Sequence, residues 1–368
     1  MKLRDLIVLL DELAPLELAE EWDNVGLLAG DPDQPVRRVL LTIDLTGDVL
    51  AETRRLKTDL ILTYHPPIFE PMKAVVKGRG VSPLLYEVIR SGMAVYAFHT
   101  ALDSVRGGVN DLLADVVGIA DAQPLQSQGF APEKMCKIAV YLPENDLDKV
   151  SSAIFTAGAG HIGNYSHCSF LAKGTGTFKG AANTNPTVGR PGQLEQAPEL
   201  RLESIVPVER LKPCVAAMIA AHCYEEVAYD VYPLLHNRSH LGLGRFGDLR
   251  KPVSKKTLIE TIKKNLKVNA VGLIGRASGQ ARRGAVCAGS CGSVLRHVIR
   301  NNCDFYLTGE LNHHNALKLQ EAGITTICVS HSNSERLVLR HVANKLKPRC
   351  PELQFIVSKK DKDPFTWG

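Results

Sequence analysis

The chain has 368 residues, 45% hydrophobic and 23% charged, which is ordinary globular material and too long for one comfortable core, so two or three domains are expected. Its 44 basic and 39 acidic residues leave a net charge of +5, but the signs are interspersed, which excludes an electrostatic footprint for nucleic acid. No apolar run approaches the roughly 18 residues of a membrane span, and the acid-bearing start MKLRDLIVLLDELAPL lacks a small-residue cleavage site, so a cytoplasmic protein with no membrane contact is expected.

From Arg37 to about Asp121 short apolar runs alternate with helical patterns. The runs are VLLTIDL, DLILTYH and AVYAFHT, and VSPLLYEVIRSG is the clearest helix between them. The region from Gly284 to Leu346 repeats the scheme with AVCAGS, DFYLTGE and ITTICVS, each followed by a helix. Such alternation predicts α/β layering with parallel strand pairs. Between the halves lies a segment of different composition, Gly-, Asn- and Pro-rich around GTGTFKGAANTNPTVGRPGQ. Its flanks read strand, helix, loop-rich middle, strand, helix, strand, the order of a split-βαβ sandwich. The predicted organisation is therefore two similar α/β halves, 1–130 and 238–368, forming one discontinuous domain, with an inserted α+β domain at 131–237.

Lys255, Lys256, Lys263, Lys264 and Lys267 alternate with Leu258, Ile259, Ile262 and Leu266 at helical spacing, as on the solvated face of an amphipathic helix. The nine cysteines are odd in number and without CxxC pairs, which fits reduced thiols. Cys287 and Cys291 are the closest pair, and without a second pair at finger spacing a structural zinc is disfavoured.

His65 closes a predicted strand and is held there by Pro66 and Pro67, which bias the chain out of helix. His99 and Asp103 follow the next strand, His331 ends a strand of the other half, and Glu335 lies four residues on. In an open α/β sheet, ligands bind beyond the carboxyl ends of the strands. Imidazoles and carboxylates gathered there suit zinc, manganese or iron. Structural readings stand beside this one: Ser332 to Glu335 also matches a helix capping box, and Asp103 could end a turn before Gly107. His313 and His314 open a helix, where adjacent side chains diverge by about 100°, so one at most faces the crevice. Gly242, Gly244 and Gly247 match GxGxxG without the strand that a dinucleotide fingerprint requires. The turn from Ala288 to Ser293 follows a strand and could present amides to an anion or be a tight structural turn.

Six stretches, EEWDNVGLL at 20–28, LTYHPPIFEPMK at 62–73, FHTALD at 98–103, GVND at 108–111, YLTGELNHHNAL at 306–317 and CVSHSNSER at 328–336, together resemble the NGG-interacting-factor-three-like proteins. That family is also labelled GTP cyclohydrolase I type 2 homologue or dinuclear-metal-centre protein. GHIGNYSHCSF at 160–170 and HCYEEVAYDVYPL at 222–234 resemble the extra ferredoxin-like domain of its longer bacterial members. The resemblance implies a homohexameric toroid, a trimer of dimers, with two divalent metal ions per subunit, zinc, iron or manganese. It carries the ligand roles onto His65, Asp103, His331 and Glu335, with Glu335 as the bridge. Many bacterial relatives have a second histidine where this chain has Tyr64. A phenol, with its usual pKa near 10, is a poor ligand, so a second metal is expected to be weaker or completed by Tyr64. The implied activity is metal-assisted hydrolysis of a nucleotide-like substrate, with Glu335 holding metal and His99 or His313 passing protons. The alternative is a non-catalytic metal-storage, trafficking or regulatory ring that binds a ligand or partner through its inserted domain.

Overall fold

The runs RVLLT, LILT and AVYA become strands buried on both faces, as the centre of a parallel sheet requires. In the computed structural model, residues 1–78, 81–128, 130–237 and 239–365 are described. Contacts divide the chain into two units, one of Met1–Gly129 with Ser239–Gly368 and one of Phe130–Arg238.

The first unit begins with α1 (Leu3–Leu13), whose Leu3, Leu6 and Leu10 form its buried stripe. There follow β1 (Gly26–Ala29), β2 (Arg38–Thr42), α2 (Gly47–Leu56), β3 (Leu60–Thr63), α3 (Val81–Arg90), β4 (Ala94–Ala97), α4 (His99–Ser104), α5 (Val109–Val117) and β5 (Gln126–Ser127). The Thr46 side chain caps α2 by accepting from the Val49 amide at 3.3 Å, and Lys57 ends it in the left-handed region. The second unit supplies β6 (Phe130–Leu142), α6 (Leu147–Thr156), β7 (Ser169–Lys179), β8 (Leu194–Pro207), α7 (Val208–Ala221) and β9 (Tyr229–Asn237). The first unit resumes with β10 (Gly242–Leu243), β11 (Arg245–Ser254), α8 (Lys255–Leu266), β12 (Gly272–Ile274), β13 (Gln280–Cys287), α9 (Leu295–Arg300), β14 (Phe305–Thr308) and α10 (His313–Glu321). It ends with β15 (Thr325–Cys328), α11 (His331–Glu335), α12 (Leu337–Leu346) and β16 (Gln354–Val357).

The first unit holds two five-stranded sheets, ordered β1-β4-β3-β2-β16 and β11-β13-β14-β15-β12. Parallel pairing joins β2, β3 and β4 in one and β13, β14 and β15 in the other. The edge strands were not visible as a pattern. The segment VGLLA pairs antiparallel with β4, and β16, from the last residues of the chain, returns to pair with β2 in the other half's sheet. Leu41, Leu62 and Tyr96 share a core with Val286, Phe305, Leu307 and Val338, so the halves bury one common apolar interior. Arg245 is fully buried where they meet. Its Nε and Nη2 donate to Asp111 (2.9 and 2.8 Å), Nη1 donates to the carbonyls of Gly242 and Gly244 (2.7 and 2.8 Å), and Nη2 also reaches the Val105 carbonyl (3.0 Å). This spends the GxGxxG stretch on a structural pairing.

In the second unit the antiparallel sheet order β7-β8-β6-β9 is that of a ferredoxin-like sandwich, with Val150 and Ile154 of α6 and Cys214 and Met218 of α7 in its core. The middle expected to be loop-rich contains β7, paired with β8 from Ser169↔Ser204 to Lys179↔Leu194. Its glycines and exposed positions hide the alternation by which a strand is read. The mixture of parallel centres, antiparallel edges and this insert makes the whole chain α+β in character.

The expectation of reduced thiols is corrected at one pair: Cys287 and Cys291 form a disulfide. The strand end turns there and brings their Cα atoms to 6.0 Å, within bridging reach. The other seven described cysteines are free.

A candidate metal centre at the strand ends

Beyond the strands proper, the parallel ladder continues and fixes the loops that bear the polar residues. The amides of Tyr64 and His65 donate to the carbonyls of Thr42 (2.9 Å) and Ile43 (3.0 Å), and that of His99 to Tyr64 (2.9 Å). In the other sheet the amide of Val329 donates to Thr308 (3.1 Å) and that of Glu310 to Gly289 (3.1 Å). His65, His99, Glu310 and His331 therefore leave their strands at equivalent levels.

Glu335 lies between two imidazoles, with its Oε2 3.3 Å from His65 Nε2 and its Oε1 3.2 Å from His331 Nε2. Each ring is held from behind, because His65 Nδ1 donates to Asp44 Oδ1 and His331 Nδ1 to Glu310 Oε1, both at 2.9 Å. A carboxylate can only accept, so each pair places the proton on Nδ1 and leaves Nε2 to the centre. His99 carries the same device: Nδ1 donates to Asp23 at 2.8 Å, and the other oxygen of Asp23 accepts from the amide (3.1 Å) and hydroxyl (2.5 Å) of Thr100. The His99 ring centroid is 5.3 Å from that of His65.

Two observations test whether these residues fit a cation. His65 Nε2 and Glu335 Oε2 are buried without a hydrogen-bond partner, a costly state that a shared ligand removes. Gly289, at φ +66°, leaves open a space in which a Cβ would come within 2.7 Å of Glu335 Oε1 and 3.3 Å of His331 Nε2. The donor atoms of His65, His331 and Glu335 lie within 4.8 Å of one another. Two imidazoles and one carboxylate suit a divalent transition metal, and the residues fit.

Burial disfavours an imidazolium at His65, yet the contacts with Asp44 and Glu335 outweigh it and raise its pKa to about 10. His331 rises to about 9, chiefly through Glu335. Burial pushes Glu335 upward, but the same two imidazoles hold it below the usual carboxylate range. Asp103 is raised to about 7 by burial, against the hydrogen bond it receives from Tyr64, with the Glu335 charge adding to the rise. The Tyr64 hydroxyl donates to Asp103. Burial and the neighbouring carboxylates Asp103 and Glu335 push that phenol far above its ordinary value, so in this geometry it is a neutral donor.

The structure thus brings together His65, His331 and Glu335, keeps Asp103 beside them in the grip of Tyr64, and sets His99 next to His65. His313 is exposed at the start of α10, its ring 5.6 Å from that of His314, with no hydrogen bond or ion pair to the cluster among the described contacts. The capping-box reading of Glu335 fails because the helix begins at His331, with Ser330 before it at φ 72° and no side-chain cap. The turn after β13 is structural as well: the amides of Ala288 and Gly289 are taken by Asn110 Oδ1 (2.9 Å) and Ser334 Oγ (2.8 Å).

Sequence reasoning missed the carboxylates behind the rings, Asp44, Asp23 and Glu310. A signal existed, since Asp23 and Glu310 lie inside the quoted motifs and Asp44 two residues beyond β2. It also missed the last residues. Asp361 accepts from the Ile43 amide (3.0 Å) and pairs with Arg336 (2.6 Å), while Asp363 accepts from Ser330 Oγ and from Asn333 Nδ2 (2.9 Å). They tie the loop after β2 to the turn that presents His331. Among the described residues, no helix is long and apolar enough to cross a membrane.

Fold and site together define an α+β protein whose first unit pairs two five-stranded mixed sheets, with a candidate metal centre where the carboxyl ends of those two sheets converge. The family model for Duf34/NIF3 (NGG1p interacting factor 3) matches residues 1–364, and the chain belongs to that family. It is 36% identical over 368 residues to a Bacillus subtilis protein named GTP cyclohydrolase 1 type 2 homolog, covering 99% of this chain and 98% of that one. A Mycobacterium tuberculosis protein of the same name is 36% identical over 340 residues, covering 91% and 88%. Among solved structures, a Bacillus cereus protein related to NIF3 matches with a TM-score of 0.77 at 33% identity, covering 100% of this chain and 99% of that one. A Staphylococcus aureus protein reaches 0.83 at 24% identity with the same coverage, a likeness of fold.

Proposed function

We propose that this chain is a metal-dependent hydrolase with a dinuclear centre, acting on a nucleotide-like substrate. The observation that carries the reading is Glu335, buried and offering one oxygen to each of two imidazoles that are themselves anchored by carboxylates. His65, His331 and Glu335 would hold the first cation, and Asp103, released from Tyr64, would help Glu335 hold the second. A cation bound there supplies Lewis acidity, polarising a substrate oxygen and making water more acidic.

The chain's own groups supply the rest. Asp44 and Glu310 keep the ring tautomers fixed. His99, oriented by Asp23, is placed to take up and return a proton beside His65. The Trp22 and Phe69 rings, 5.7 Å apart and both more than half exposed, flank His99 at 5.8 and 6.3 Å and offer a stacking surface for a nucleobase. The relatives' name points to a purine nucleotide. The same reading includes a homohexamer as the working assembly, which mass measurement in solution tests.

The Tyr64 hydrogen bond favours a second reading of the metal count, in which one cation is firmly held and the centre serves storage or regulation. Purified protein is assayed for bound metal and offered GTP and a panel of nucleotides, beside Glu335→Ala. Metal-dependent turnover lost in that variant supports the hydrolase. Full metal content without turnover of any nucleotide supports the second reading, and turnover that survives the loss of Glu335 overturns the first.

A further inference from the structure

The β7–β8 hairpin runs past the end of β6 and, with the segments around Pro186 and Glu225, lines a cavity of about 540 Å³ inside the second unit. Its floor is one face of the sheet. Tyr141 and Ala172 are the register partners of Arg201 on either side, and Gly174 is the partner of Glu199, so these residues share the face opposite Val140 and Leu202, which are buried in the core.

Three features of that face point to a ligand. Arg201 Nε is buried and has no hydrogen-bond partner, although Nη2 of the same guanidinium is held by Glu203 at 2.8 Å. The guanidinium carbon lies 5.9 Å from the centre of the Tyr141 ring. Glu199 receives the Tyr224 hydroxyl on Oε1 at 3.0 Å, which leaves acceptor capacity on Oε2. Gly176 makes room for that oxygen, since a Cβ there would come within 2.2 Å of it. A guanidinium and a spare carboxylate oxygen thus stand on one face of a cavity that aromatic rings also line.

We propose that this cavity binds a small uncharged planar heterocycle that presents a carbonyl or ring-nitrogen acceptor beside ring N–H donors, as the base of guanosine does. The accessible part of the Arg201 guanidinium donates to the acceptor edge and Glu199 Oε2 accepts from the N–H edge, the complementarity by which arginine and acidic side chains read base edges. Tyr141, Tyr224 and Phe178 offer the apolar contacts. The volume is that of a small-molecule pocket. The lining charges balance, Lys173, Lys179 and Arg201 against Glu199, Glu225 and Glu226, and Lys173 is paired with Glu144 at 3.3 Å, so no cationic surplus favours a triphosphate. The inference is independent of the metal centre.

The test is calorimetric titration of the full chain with guanosine, adenosine and GTP, with Arg201→Lys, Glu199→Gln and, as a control at the other site, His331→Ala. Circular dichroism and the melting temperature establish that each variant is folded. The expected result is saturable guanosine binding below about 1 mM, weaker binding of adenosine and GTP, a loss of about tenfold or more in both pocket variants, and no change in His331→Ala. Three results overturn the proposal: no saturable guanosine binding, binding indifferent to Arg201→Lys and Glu199→Gln, or binding lost in His331→Ala. The last would assign the nucleoside to the metal centre.

Discussion

His65 Nε2 and Glu335 Oε2 face each other at 3.3 Å from opposite halves of the chain, buried, and neither has a hydrogen-bond partner. A carboxylate and an imidazole in that arrangement can share either a proton or a divalent cation, and the measurable behaviour of the site follows from which of the two it holds.

Glu335→Ala removes the group that His65 and His331 share. Bound metal, measured by elemental analysis after gel filtration, is expected to fall at least tenfold. Tyr64→Phe removes no donor atom from the trio and is expected to retain its metal. Equal losses would show that Tyr64 is a ligand.

Asp44→Asn and Glu310→Gln leave the three donor atoms in place but weaken the hold on the ring tautomers. Metal affinity should fall by about 10–100-fold in each, read by competition with a chromophoric chelator. A change of less than twofold would mean that the rings are fixed by packing alone.

Gly289→Ala places a methyl group against Glu335 Oε1 and His331 Nε2 and also meets an unfavourable φ of +66°. Metal binding should be lost, with destabilisation of only about 1–2 kcal/mol in urea. Retained metal would place the cation elsewhere.

Asp111→Ala leaves the buried Arg245 guanidinium without its bidentate partner. Breaking a buried pair in this way costs about 3–5 kcal/mol, so the urea midpoint should drop sharply. A change below about 1 kcal/mol would show that water replaces the carboxylate.

The Cys223 thiol, on an exposed residue, is raised to about 11 by local desolvation and by Asp146 beside it. Because the folded value lies above the ordinary thiol value near 8.5, thiolate is scarce at pH 8 and the thiol form that favours the fold is lost only as pH climbs past it. Peptide-mapped alkylation at pH 8 should be slow at Cys223 and faster in Asp146→Asn. Rapid labelling of the unmodified chain would contradict the shift.

Much of the fold was legible because parallel strands buried on both faces are written as short continuous apolar runs, as in LILT and AVYA, with helices between them. β7 and β16 were not. In β7 glycines and exposed side chains erase the two-residue period, and β16 owes its place to pairing with β2, a long-range choice that local pattern does not encode. At the site, the residue types and their strand-end positions were readable for His65, His99, Asp103, His331 and Glu335. The partners behind the rings were less so, since Asp44, Asp23 and Glu310 resemble ordinary loop acids until the rings are set against them.

By itself, then, the sequence determined which side chains stand at the carboxyl ends of the strands, because the alternation of apolar runs and helices dictates where each strand stops. Only the tertiary structure decided which of them meet. Joining two sheets over one core brings His65 to Glu335, while Asp103, in the helix after β4, meets Tyr64 at the end of the neighbouring β3 and His313 stays in solvent. Such distances depend on how two sheets pack, and no local spacing along the chain carries that information.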